Sequence, residues 1–221
     1  MTVQESRLDL ERRRRLGMVE AVWGEHKSVD QIVAILQAMQ TAGELALVTR
    51  VDEEKAAAIQ GRCPAVQVHS QAACLTLGET PVIGRAAQVA VLSGGTSDRR
   101  VSEEASLALR VHGVATEPFL DVGVAGLHRL LDVLPDLAPM SVLIACAGME
   151  GALPTVLAGL VPQPVIGVPV SVGYGVSAGG RAALDGMLAS CAPGLSVVNI
   201  DNGYGAAMAA LRILKGAAFQ D

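Results

Sequence analysis

The sequence predicts an α/β protein: a doubly wound parallel sheet preceded by a small N-terminal α/β appendage. Of 221 residues, 51% are hydrophobic, only 2% are aromatic, and Gly numbers 24. A core of Val, Leu, Ile and Ala with many glycines suits strands buried on both faces and helices that approach closely. From Ala86 onward, Val- and Ile-rich runs alternate with helix-length segments, which is the pattern of successive βα units.

The first 27 residues are charged and aperiodic, with Arg12 to Arg15 in a row. They are expected to form a solvated arm or frayed helix, disordered in its first part. Ser28 then opens a helix. Gln31, three residues on, completes a capping box, and Val29, Ile32, Val33, Ile35, Leu36 and Met39 supply the apolar stripe. Gly43 ends it. Leu45 to Val51 reads as a strand, and Asp52 to Gln60 as a short helix led by acids that suit its dipole. Val66 to Val68 and Ala73 to Leu77 are candidate short strands. The appendage is assigned to residues 1–85 and the main domain to 86–221.

In the main domain the expected strands are Gln88 to Leu92, Ala115 to Leu120, Ser141 to Ala147, Val165 to Val170 and Leu195 to Ile200. The expected helices are Asp98 to His112, Val124 to Val133, Gly151 to Leu160, Ala178 to Ser190 and Gly203 to Leu214. Right-handed crossovers make such a series a parallel sheet. The units are too few for a closed eight-stranded barrel, and a flavodoxin-like strand order is expected.

Several function classes are disfavoured. Apolar content is too high for global disorder. A net charge of -5 argues against duplex nucleic acid. The aromatics Trp23, Phe119, Tyr174, Tyr204 and Phe219 are too few for a single-strand stacking platform. Apolar stretches are interrupted before the roughly 20 residues of a membrane span. No signal peptide is expected, because Arg12 to Arg15 is not followed by an apolar run. Cys63, Cys74, Cys146 and Cys191 show no metal-knuckle or redox spacing. A cytoplasmic protein with reduced thiols is expected.

Ligands of an open parallel sheet sit beyond the carboxyl ends of its strands. After the first strand, Gly95, Thr96, Ser97 and Asp98 form a glycine-hydroxyl turn suited to phosphate; plain helix capping by Ser97 or Asp98 explains it equally well. After the second strand come Asp121, His128 and Arg129. A lone His is more often packed than catalytic. Arg129 matters more, since after Arg85 only Arg99, Arg100, Arg110, Arg129, Arg181, Arg212 and Lys215 are basic. After the third strand, Glu150 follows Gly148 and Met149, either as a charge complementing a helix start or as a general base. Ser171, Gly173, Tyr174 and Gly175 form a ligand-clasping loop or an ordinary connection. Asn199, Asp201 and Asn202 close the last strand. Cys191 lies in the turn entering that strand, at the wrong end of its own sheet, and reads as a structural thiol unless an oligomer brings it to a neighbour's site.

Together these segments resemble the LarB family. The residues that carry the likeness are Gly95-Thr-Ser-Asp98, Asp121-Val-Gly-Val-Ala-Gly-Leu-His-Arg129, Ala147-Gly-Met-Glu-Gly-Ala-Leu153, Pro169-Val-Ser-Val-Gly-Tyr-Gly175, Ser190-Cys191-Ala and Asn199-Ile-Asp-Asn-Gly203. The Asp9-to-Arg12 and Gly17-to-Glu20 spacings and Thr49-Arg50 fit the same family. Val19, Gly94 and Cys146 depart mildly from its pattern. The resemblance implies a core similar to PurE, an aminoimidazole ribonucleotide carboxylase that assembles as an octamer.

It also implies the first step of nickel-pincer nucleotide biosynthesis. In that step carbon dioxide is added to the pyridinium ring of nicotinic acid adenine dinucleotide, and the phosphoanhydride is hydrolysed. The products are pyridinium-3,5-biscarboxylic acid mononucleotide and AMP. By resemblance Cys191 is the nucleophile, Glu150 transfers a proton, and Thr96, Ser97 and Asp98 hold the ribose phosphate. The other strand-end residues are the substrate-binding candidates. No tightly bound cofactor is implied; magnesium would suit a pyrophosphate substrate, although no carboxylate cluster reads as a fixed cage. A PurE-like carboxylase or mutase and a non-catalytic nucleotide-binding protein are the alternatives.

Overall fold

A computed structural model describes residues 7–217, with the side chain of Ala217 excepted. Phe219 and the first six residues of the expected arm lie outside the described residues. The chain divides into two compact units, Met1–Val82 and Ile83–Asp221.

The first unit contains α1 (Arg12–Leu16), β1 (Ala21–Trp23), α2 (Val29–Thr41), β2 (Ala46–Thr49), α3 (Glu53–Arg62), β3 (Gln67–His69) and β4 (Cys74–Leu77). Its sheet runs β1-β2-β4-β3; β1 and β2 are parallel, and the remaining pairs are antiparallel. Helix α2 is the crossover of a βαβ unit. Its capping box is complete: Ser28 Oγ accepts from Gln31 N at 3.2 Å, and Gln31 Oε1 accepts from Ser28 N at 3.0 Å. At its other end Gly43 takes φ 70, donating to Gln40 O while Glu44 N donates to Met39 O, the paired bonds of a left-handed helix stop. Ile32, Leu36, Val48, Ile59 and Leu75 fill the core.

Residues 18–23 correct the solvated-arm expectation. Met18, Val19 and Val22 are buried, and Ala21–Trp23 is a paired strand. Three residues are too few to show a period, so the strand is set by pairing with β2 rather than by local pattern. Strand β2 stops before the expected Val51, because Arg50 turns the chain at φ 56.

The second unit contains β5 (Val89–Ser93), α4 (Arg99–Val111), β6 (Thr116–Phe119), α5 (Leu127–Leu137), β7 (Val142–Ala147), α6 (Ala152–Ala158), β8 (Val165–Pro169), α7 (Arg181–Leu188), β9 (Leu195–Val197) and α8 (Gly203–Ala217). The sheet order is β6-β5-β7-β8-β9, all parallel. In strand sequence that is 2-1-3-4-5, the expected flavodoxin-like order. Leu92, Leu143 and Ala145 pack with Leu130, Leu153, Leu157 and Met187 of α5, α6 and α7. Helices α4 and α8 pack together on the other face. They approach so closely that a Cβ on Gly203 would lie 2.4 Å from Val101 O.

Two expected helices start later than their sequence pattern. Val124–Gly126 and Gly175–Gly180 form tight 3₁₀ segments, so α5 begins at Leu127 and α7 at Arg181. Gly179 and Gly180 both hold φ 75, which an α-helix cannot continue through. Strand β9 ends at Val197, short of Ile200, because Asn199 Oδ1 takes the N–H of Ile200 at 2.9 Å and bends the chain. No described helix is long and apolar enough to cross a membrane.

Candidate active site

The carboxyl ends of β5, β6 and β7 are tied by backbone bonds. Ser93 is fully buried; its Oγ accepts from Asp121 N at 3.3 Å and its carbonyl from Val122 N at 3.0 Å. Gly94 N donates to Cys146 O at 2.9 Å. The turns cross so tightly that side chains are excluded. A Cβ on Gly123 would sit 2.4 Å from Gly94 O, and one on Gly148 would sit 2.3 Å from Val172 O.

Asp98 does not cap its helix; its side chain bonds no N–H of α4. It turns back instead. One carboxylate oxygen accepts from Gly95 N at 2.8 Å and the other from Gly148 N at 3.0 Å. A buried Asp98 thereby pins two strand-end turns together. Each carboxylate oxygen accepts one backbone N–H, and in doing so Asp98 shapes the expected phosphate turn. Burial pushes its carboxyl above the usual carboxylate range, the two N–H bonds pull it back, and Asp201 pushes it further up.

That shift has a measurable consequence. With its pKa raised, folded Asp98 keeps a proton that the unfolded chain has already lost. Stability contributed by Asp98 is therefore complete below the ordinary Asp value and is lost as pH rises through the folded one. Denaturant midpoints of the unsubstituted chain, compared with Asp98→Asn, are expected to fall with rising pH across that window. A pH-independent difference would contradict the assignment.

Asp121 holds φ 58 and pairs with Arg129 at 2.8 Å. Arg129 Nη2 also reaches Gly123 O at 3.4 Å. Met149 holds φ 53 and donates its N–H to Val172 O at 3.1 Å, which points the turn carrying Glu150. Asp201 holds φ 54; its Oδ1 accepts from Ser171 N at 2.8 Å, and its own N–H donates to Pro169 O at 2.8 Å. Three non-glycine residues in left-handed backbone therefore stand at one sheet edge. Such conformations cost about 1–3 kcal/mol each and collect at functional sites.

A cleft of about 450 Å³ opens at this edge, within the size range of small-molecule sites. Of the expected residues, Gly95, Ser97, Asp98, Arg129, Gly148, Met149, Glu150, Gly173 and Tyr174 line it. Thr96, Asp121, His128, Ser171, Gly175, Asn199, Asp201 and Asn202 lie at strand-end turns outside its lining. Asn202 caps α8 through a bond from Gly205 N at 2.8 Å. His128 is exposed on the first turn of α5. Cys191 is exposed in the turn between α7 and β9, at the amino edge of the sheet, away from this cleft. Cys146 is a buried free thiol of the core, pushed well up by burial.

The sequence reading missed Val124, Ala125, Ala152, Leu153 and Val172 as cleft walls. They are apolar and carry no chemical signal; only their position beside the glycine turns could have marked them. Arg129 is the one cation among the lining residues, and Glu150 is an exposed carboxylate of the same lining. The lining therefore combines one cation with two carboxylates, Asp98 and Glu150, at a glycine-rich sheet edge. Among the described residues no group of three His, Cys, Asp or Glu could hold a metal ion.

Two family models match the chain. A family model described as LarB/PurE-like N-terminal domain matches residues 1–79, and one described as AIR carboxylase matches residues 88–219. An uncharacterized protein of Methanocaldococcus jannaschii is 37% identical over 217 residues, covering 95% of this chain and 84% of that protein. An N5-carboxyaminoimidazole ribonucleotide mutase of the same organism is 36% identical over 133 residues, covering 57% of this chain and 78% of the mutase. The corresponding mutase of Pyrococcus horikoshii is 32% identical and covers 62% of this chain and 73% of its own.

Proposed function

The chain belongs to the LarB family, a carboxylase-type family with a PurE-like core, and on that premise we propose that it carboxylates the pyridinium ring of nicotinic acid adenine dinucleotide and hydrolyses the phosphoanhydride. The observation that carries this reading is the N-terminal match over residues 1–79. The mutase relatives cover only 57% and 62% of the chain, whereas the LarB/PurE-like N-terminal match accounts for the first unit.

A pyridinium carbon is electrophilic and cannot attack carbon dioxide. In the proposed mechanism the Cys191 thiolate forms a C–S bond para to the ring nitrogen, and the ring becomes a neutral dihydropyridine. Its neighbouring enamine carbon forms a C–C bond to carbon dioxide. Glu150 removes the proton from that carbon, the C–S bond breaks, and the aromatic ring returns with the thiolate free. Water then cleaves the phosphoanhydride, releasing AMP and the biscarboxylic mononucleotide. Arg129 and the backbone N–H groups of the glycine turns hold a phosphate. A magnesium ion would arrive on the pyrophosphate rather than in a cage of side chains.

Because Cys191 lies at the amino edge and Glu150 at the carboxyl edge, the thiol serves a cleft of a second copy. The functional unit is then a homo-oligomer, an octamer by likeness to PurE. Folded protein given the dinucleotide, bicarbonate and magnesium is expected to release AMP, seen by chromatography. The second reading, a carboxylase or mutase acting on aminoimidazole ribonucleotide, draws on the two mutase relatives. Rescue of a purine auxotroph without AMP release would favour it.

A further inference from the structure

The first unit also has a carboxyl edge. Strands β1 and β2 are adjacent and parallel, with Trp23 opposite Thr49, so the chain segments leaving them, Gly24–Lys27 and Arg50–Asp52, start side by side. Parallel strand ends are where open sheets place ligands. These segments are tied together. Gly24 N donates to Thr49 O at 2.9 Å, and a Cβ on Gly24 would lie 2.7 Å from Val51 Cγ2. The Lys55 ammonium donates to the carbonyls of Gly24 at 3.1 Å and Glu25 at 3.0 Å.

On this base stands the only tryptophan of the chain, 50% exposed. Its Nε1–H donates to Glu25 Oε2 at 3.1 Å, and its ring meets His26 edge-on at 4.8 Å. The same Glu25 oxygen pairs with Arg50 Nη1 at 3.5 Å. Arg50 itself sits at φ 56, a left-handed conformation that a non-glycine residue holds only at a cost. One carboxylate thus orients an open indole and a guanidinium beside each other. The hydrogen bond from Trp23, then the charge of Arg50, keep Glu25 below the ordinary carboxylate range against some desolvation. A dry protein interface over Trp23 would have to desolvate the exposed Glu25 and His26. A stacked planar ligand would leave them in water.

We propose that the first unit carries a nucleotide site of its own, with Trp23 stacking the base of a nucleoside monophosphate and Arg50 meeting its phosphate. The choice of AMP as that ligand rests on the proposed reaction, which releases it. A single tryptophan makes the site directly readable. Titrating the full chain with AMP is expected to quench tryptophan emission saturably, while inorganic phosphate leaves it nearly unchanged. Arg50→Ala is expected to weaken AMP binding about tenfold, the loss of one charge-assisted contact. By calorimetry, Trp23→Phe keeps the AMP heat and Trp23→Ala loses it. Emission that stays constant through the AMP titration, or AMP affinity unchanged in both Arg50→Ala and Trp23→Ala, would overturn the site. Quenching by AMP in a protein that does not turn over the dinucleotide would retire the proposed reaction and leave the site standing. Turnover without quenching would do the reverse.

Discussion

Cys191→Ala is expected to lower dinucleotide carboxylation by about 10³-fold or more, the scale reached when a covalent nucleophile is removed. The side chain is exposed and lies at the end of the sheet away from the cleft. Its loss should therefore leave the denaturant midpoint nearly unchanged, so lost turnover cannot be ascribed to unfolding. The proposed two-copy arrangement adds a sharper expectation. Cys191→Ala and Glu150→Gln chains, each inactive alone, are expected to regain part of the activity when co-expressed. A mixed oligomer contains some clefts with an intact carboxylate facing an intact thiol. Mixed chains that stay as inactive as either parent would mean that Cys191 does not act across copies.

Gly148→Ala is expected to give the largest structural effect in the second unit. The added Cβ would lie 2.3 Å from Val172 O, a backbone atom, and 3.2 Å from Asp98 Oδ1. Neither neighbour is a flexible side-chain end that can step aside cheaply. Relief requires the turns after β7 and β8 to separate, which breaks Met149 N to Val172 O and strains Gly148 N to Asp98 Oδ1. The expected cost is about 2–3 kcal/mol, read as a lower urea midpoint. Turnover should fall further, by about 10²-fold, because Glu150 rides on the displaced turn. Gly175→Ala is a useful contrast: nothing lies within 4 Å of its added Cβ, and only its φ of 58 is strained, for about 1–2 kcal/mol. Equal effects at the two positions would contradict the close crossing of the turns.

The sheet of the second unit was legible because its central strands are buried on both faces. Val142–Ala147 and Val165–Pro169 are continuous buried apolar runs with no alternation to misread. Strand β1 was not legible. It pairs through three residues, and its burial depends on β2, which lies more than twenty residues away. The strand-end turns of the site were marked by their density of Gly, Ser and Asp. What they do to one another was hidden. Asp98 reads locally as a helix cap, yet it bonds Gly148, 50 residues along the chain. Cleft walls such as Leu153 and Val172 look like any other apolar residue. The placement of Cys191 at the amino edge, by contrast, followed from topology alone and needed no side-chain detail.

The proposed carboxylation is read by incubating the folded protein with nicotinic acid adenine dinucleotide and carbon-13 bicarbonate, followed by mass spectrometry. The expected product is a mononucleotide that carries one added, labelled carboxylate on its pyridinium ring, formed together with AMP. Recovery of the dinucleotide unchanged and unlabelled would contradict it.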